Sequence, residues 1–116
     1  MARVVNESKG GAVVADRVGV ATSFWSRFKG LMLRGELPEG EGLLIQPSGS
    51  IHTAFMRFPI DVVFLSKQRE VVKVVHAIKP WRTALSSAHS ALELAAGVAA
   101  KSGLEEGDRL ALVDQP

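Results

Sequence analysis

The sequence predicts a mainly β domain: an antiparallel β-sandwich or open barrel of short strands, with one amphipathic helix near residues 23–33 and a short helical turn near 98–102. Three observations carry this. Short runs of β-branched and apolar residues recur along the chain, each bounded by Gly, Pro or polar turn residues. Only one stretch carries a convincing helical period. The 116 residues, 47% of them hydrophobic, suffice for one core and not for two, so residues 1–116 are read as a single compact domain.

Taken in order, Val4 and Val5 form a short apolar edge and Lys9-Gly10-Gly11 reads as a turn. Residues 12–21 carry Val13, Val14, Val18 and Val20, interrupted by Asp16-Arg17 and Gly19. That is a β stretch with a bulged middle, since Gly inside a strand commonly marks a bulge. The period then changes. Thr22 or Ser23 can cap a helix in which Phe24, Phe28, Leu31 and Met32 fall at i, i+4, i+7 and i+8, and Gly35 is placed to end it. Such a stripe faces a core. Residues 37–42 form a polar turn leading into Leu43-Leu44-Ile45. Gly40-Glu41-Gly42 is no dinucleotide fingerprint, because it precedes a strand and opens no helix.

Residues 60–65 are almost all apolar and β-branched or aromatic, the composition of a strand covered on both faces. Ser66-Lys67-Gln68-Arg69 turns the chain and residues 71–78 return as a second strand, a hairpin whose turn lacks the expected Gly or Asn. Residues 83–90 read as a loop, Ala91-Leu92-Glu93-Leu94 as a strand, and 110–113 as the closing strand. Gly103 is the left-handed stop of the turn at 98–102, with Leu104 folding back on it.

Composition narrows the function classes. The pI of 9.3 overstates basicity. Lys and Arg outnumber Asp and Glu by only 14 to 12, and with no Cys or Tyr little titrates between about pH 7 and 10. A net charge of +2 gives no ground for a nucleic-acid partner. Charge is uneven: Arg57, Lys67, Arg69, Lys73, Lys79 and Arg82 crowd residues 52–82, which reads first as solvated strand edges. The absence of cysteine removes disulfides, thiolate nucleophiles and zinc–thiolate sites together. No apolar run approaches the roughly 18 residues of a membrane span, and the first residues are not a signal peptide. As it stands the chain is expected to be cytoplasmic, or exported if an N-terminal leader was removed.

Three blocks carry a resemblance: Gly30-Leu31-Met32-Leu33-Arg34 running on to Gly42-Leu43-Leu44; residues 51–64, Ile-His-Thr-Ala-Phe-Met-Arg-Phe-Pro-Ile-Asp-Val-Val-Phe; and Leu92-Glu93-Leu94-Ala95-Ala96-Gly97 followed by Gly103 and Gly107-Asp108. Through them the chain resembles the domain-of-unknown-function 192 family of bacteria and archaea. The resemblance implies a compact β-sandwich-like fold with a short helix and no assigned activity; relatives often carry an export signal. Ala95 stands where the family commonly has Pro, and Gln68-Arg69 replaces a Gly-containing turn.

His52, Thr53, Met56, Arg57 and Asp61 are the densest set of reactive groups, with Trp81, Glu93 and Arg34 as further ligand-binding candidates. On one reading His52 is a general base or ligand at a pocket rim, oriented by Asp61. On the other, His52 and Thr53 bond local backbone while Asp61 satisfies a turn or an Arg, and buried polar groups more often do this. His52 and Met56 suit Cu(I), but two ligands make no site, and the spacing does not bring His76 or His89 to them. No metal or cofactor is expected. There is no Gly-x-Ser-x-Gly and no His-Glu-x-x-His. Glu93 and Asp61 would serve glycoside chemistry only if the fold held them about 5–10 Å apart; a salt bridge from Glu93 to Arg34 or Arg57 is its favoured use. Trp81, between Lys79-Pro80 and Arg82, is either a recognition residue or a lid on the core.

The leading expectation is a binding or accessory module that recognises a small polar ligand or a protein partner at a cleft near residues 51–61. The alternative is a metal-independent hydrolase using His52 and Asp61. A lesser one is RNA binding through the 57–82 basic strip.

Overall fold

The computed structural model describes residues 2–21, 37–46, 50–52, 58–80 and 82–114. Nine strands follow in chain order among them: β1 (Ala2–Asn6), β2 (Ala12–Ala21), β3 (Glu41–Ile45), β4 (Ser50–His52), β5 (Ile60–Leu65), β6 (Val71–Ile78), β7 (Thr83–Leu85), β8 (Ser90–Ala95) and β9 (Leu110–Asp114). A 3-10 turn at Glu7–Lys9 and one short helix, α1 (Val98–Lys101), complete the list. The helix expected at 23–33 lies outside the described residues.

Seven strands make one sheet in the order β6-β5-β8-β3-β2-β1-β9, and β4 pairs with β7 in a separate two-stranded sheet. The large sheet curls into a half-barrel. Its two outer strands meet at one end, where Glu70 and Arg109 form an antiparallel bridge, Val71 N–H donates to the Asp108 carbonyl at 2.8 Å and Leu110 N–H to that of Arg69 at 2.9 Å. Curling and edge contact hide backbone groups that a flat sheet would leave unpaired. The expected open barrel is therefore the architecture found.

Cross-strand register fixes which residues share a face, because directly opposite residues point the same way. Val18, Gly42, Leu94 and Asp61 stand in one row, and Leu44, Leu92 and Val63 in the next. The same face continues through Ala2 and Val4 of β1 to Leu110 of β9, and these residues are buried apart from the half-buried Gly42, whereas Val20, opposite Leu44, is exposed. This is the concave side. The convex side carries Leu43, Glu93 and Val62 in one row. It is exposed at Arg3, Val13 and Val113 but covered over β5 and β8, whose residues are all buried. The continuous apolar run of β5 follows from this double cover.

The hairpin β5–β6 forms as its sequence predicts. Its turn does without Gly or Asn because Arg69 itself takes the left-handed conformation, with φ of 63°, while the Ser66 hydroxyl accepts the Glu70 N–H at 3.1 Å. The helical turn also stands where expected: Gly103 has φ of 68°, and Leu104, buried, donates its N–H to the Ala99 carbonyl at 3.0 Å.

Three local readings are corrected. The pairing of β2 with β1 is irregular in two places, at Asp16-Arg17, where both N–H groups converge on the Gly40 carbonyl at 2.9 and 2.8 Å, and at Val14, and not at Gly19. The stretch 83–90 is not a plain loop: its first three residues pair with Ser50–His52. Finally, β2 and β3 run parallel within an otherwise antiparallel sheet, which the long connection between them allows.

Candidate functional site

Two carboxylates in the double-covered part of the sheet are fully or nearly fully buried, and they are used in opposite ways. Asp61, second residue of β5, has no exposed surface. One oxygen accepts the N–H of Ala77 at 2.7 Å; the other accepts those of Gly97 at 3.0 Å and Ala99 at 2.9 Å. Each of these donors needs a partner for a local reason. Between the Ile60–Ile78 and Val62–Val75 pairs, β6 has one residue more than β5, so a ladder N–H is orphaned at Ala77, which adopts φ of 47°. The N–H groups of Gly97 and Ala99 belong to the start of α1, where no side chain of the helix caps them. Asp61 joins strand, bulge and helix start through one side chain.

Glu93 lies on the neighbouring strand β8. It stands opposite Val62, whereas Asp61 stands opposite Leu94, so its side chain points to the convex face and that of Asp61 to the concave one. The two carboxylates cannot converge on one bond, and the glycoside arrangement is excluded by the pleat. Glu93 is 6% exposed, and desolvation pushes its carboxyl up to about 7. Among the described residues no hydrogen bond or ion pair reaches it. Across the sheet it faces Leu43 and Val62, and along its own strand Ala91 and Ala95 flank it on the same face.

The other candidates divide as follows. The backbone of His52 is in β4, opposite Thr83; its side chain, and all of Thr53, Met56, Arg57, Trp81 and Arg34, lie outside the described residues. His76 sits at the bulged end of β6, whereas His89 precedes β8 and bonds the Leu65 carbonyl at the opposite end of β5. The pair does not meet. Among the described residues no group of three or more His, Asp or Glu could hold a metal ion.

A polar cluster that sequence reasoning missed ties the end of β1 to the loop before β9. Asn6, wholly buried, donates to Asp108 at 2.9 Å and accepts the Ser8 N–H at 3.1 Å. Lys9 bonds Glu105 at 2.7 Å, Asp108 at 3.1 Å and the Gly103 carbonyl. The Asn6 bond, with the Glu105 N–H and Lys9, holds the Asp108 carboxyl below its ordinary value, and Glu105 with Asp108 raises the Lys9 ammonium. Its one local signal is Asn6 placed before Glu7 as a cap.

Comparison with known proteins adds the following. The model of the domain-of-unknown-function family DUF192, described as uncharacterized ACR, matches residues 4–112. A UPF0127 protein of Pyrococcus furiosus is 34% identical, the match covering 92% of this chain and 95% of that one. A UPF0127 protein of Thermococcus sibiricus is 42% identical over 68% of this chain, which spans 53% of the relative's length. The crystal structure of a protein of unknown function from Novosphingobium aromaticivorans is 25% identical and superposes with a TM-score of 0.81, covering 96% of this chain and 84% of that one.

Proposed function

The chain belongs to the DUF192 family, and we propose that it acts as a small binding module, taking a polar ligand at the convex face of the sheet beside Glu93. The observation that carries this reading is an ionisable side chain buried to 6% exposure on a central strand, with no partner among the described residues. A carboxylate taken out of water without a partner costs several kcal/mol. A ligand that supplies the missing partner turns that cost into affinity and specificity. The neighbours of Glu93 across the sheet and along the strand, Leu43, Val62, Ala91 and Ala95, are apolar, the setting in which a single polar group directs a ligand. The strand is held on both sides by β3 and β5, so the group is preorganised.

The rival, a hydrolase using His52 and Asp61, asks Asp61 to orient an imidazole, but both of its oxygens already serve backbone donors. Its role is to hold the fold.

A thermal-shift screen of sugars, amino acids, amines, nucleotides and short peptides tests the module. A ligand present at a hundredfold excess over its Kd adds about 2.7 kcal/mol of stability. The expected result is a hit whose shift is lost in Glu93→Gln. A hit that survives this substitution, or a blank across the panel, overturns the assignment.

A further inference from the structure

We propose that residues 97–106 form a lid on the concave side of the half-barrel, which opens as one unit about Gly97 and Gly107 while the sheet stays folded. This device is independent of the Glu93 site.

The backbone of the segment bonds to itself rather than to the sheet. Among the described residues the Lys101 N–H donates to the Gly97 carbonyl at 3.0 Å, that of Ser102 to Val98 at 2.8 Å, that of Leu104 to Ala99 at 3.0 Å and that of Asp108 to Glu105 at 3.1 Å. The first backbone bond to a strand comes at Gly107, whose N–H donates to the Val71 carbonyl at 2.8 Å. Side chains make the other polar attachments. Asp61 holds the Gly97 and Ala99 N–H groups at one end. Lys9 holds Glu105 and the Gly103 carbonyl toward the other, and Lys101 pairs with Glu39 at 3.0 Å on the surface. Apolar anchoring comes from Val98, Ala99 and Leu104, while Gly97, Ala100, Lys101, Gly103, Glu105 and Glu106 are exposed. A segment with few buried side chains and self-contained hydrogen bonds opens more readily than the buried strands beneath it.

Placement makes that opening consequential. Asp61 faces the concave side of β5, and Val71 of the outer strand β6 stands opposite Leu65, at the far end of β5. The segment passes from one anchor to the other across the row of Val63 and Val74. Gly97 and Gly107 bound it with φ of 94° and 90°, and a Cβ at either would meet nothing within 4 Å. Left-handed backbone, and not close packing, is what glycine supplies at both. Open surroundings let the chain rotate there without a clash, as hinges require.

The test is native-state hydrogen exchange of the full chain in increasing sub-denaturing urea. It follows the lid amides of Lys101, Ser102 and Leu104 and the central amides of β5 and β8. Support comes from lid amides that exchange at least about tenfold faster than the strand amides and hardly respond to urea. The strand amides should follow the steep urea dependence of global unfolding. Because the chain has no cysteine, Val63→Cys places a single thiol beneath the lid, and its modification should share the flat urea dependence of the lid amides. The exchange experiment needs no variant, so a failure of Val63→Cys to fold does not block the result. Lid amides as protected as those of β5 and β8, or with the same urea slope, overturn the proposal. A Val63→Cys thiol that reacts only through global unfolding overturns it as well.

Discussion

The carboxylate of Asp61 holds the N–H of Ala77 at 2.7 Å, and Ala77 is the residue of β6 whose backbone has turned left-handed, with φ of 47°. The strain and the bond are parts of one device: the bulge frees an N–H and the buried side chain receives it. Removing the acceptor strands three donors, each at about 1–3 kcal/mol. Asp61→Ala is therefore expected to cost on the order of 4 kcal/mol in urea unfolding, and Asp61→Asn about half of that, because one acceptor oxygen remains. Ala77→Gly relaxes the left-handed backbone and should stabilise by about 1 kcal/mol. An Asp61→Ala variant as stable as wild type would show that these bonds do not hold the helix start to the sheet.

Glu93 makes stability depend on pH with a sign opposite to that of a salt-bridged acid. Below its ordinary value of 4.5 the carboxyl is protonated in folded and unfolded chains alike. Between 4.5 and about 7 the unfolded chain releases the proton while the folded chain keeps it, so raising the pH favours unfolding. At about 1.4 kcal/mol per pH unit, the loss across that window is about 3 kcal/mol and levels off above it. Glu93→Gln should remove the slope and be the more stable protein at pH 8. Parallel curves for the two proteins from pH 5 to 8 would refute this.

The β skeleton was legible because its signals are local. The double-covered run of β5, the return of β6 and the Gly103 stop of α1 each declare themselves within a few residues. What escaped depends on distance or on register. Asp61 reads as reactive beside His52, yet its donors are 16, 36 and 38 residues away, and no short motif announces them. The split of Asp61 from Glu93 is set by a one-residue offset between β5 and β8, and sequence without register cannot supply it. The parallel β2–β3 pair depends on the path taken between them, and the turn at Arg69 on tertiary contacts overriding turn preference.

The Asn6–Asp108 bond spans 102 residues and ties the first strand to the loop before the last. Asn6 is wholly buried, so Asn6→Ala leaves Asp108 and the Ser8 N–H without their partner and is expected to cost about 2 kcal/mol. Asp108 lies below its ordinary value, so its contribution is complete above about pH 4 and fades as the pH falls through the still lower folded value. Asp108→Asn should therefore be the less stable protein at neutral pH, with the difference from wild type shrinking toward pH 2. A difference that stays constant on acidification would show that the ionised carboxylate plays no part.

Gly42 lies on the concave face in the row of Val18, Leu94 and Asp61, and it is there because nothing larger fits. A Cβ at this position would meet the Glu93 carbonyl oxygen at 3.0 Å and Leu94 Cδ2 at 3.1 Å. The leucine tip can move; the carbonyl belongs to a paired central strand and cannot do so without disturbing β8. Gly19, next along β2 from Val18, offers the control: its Cβ would meet only Leu43 Cδ1 at an ordinary 3.8 Å. Gly42→Ala should thus cost about 1–3 kcal/mol by overpacking. Gly19→Ala should be neutral or stabilising by up to about 1 kcal/mol, since alanine loses less backbone freedom in a strand. Urea unfolding of the two variants side by side separates close packing from a general preference for glycine. Equal destabilisation of both would show that the contact with β8 is not what selects Gly42.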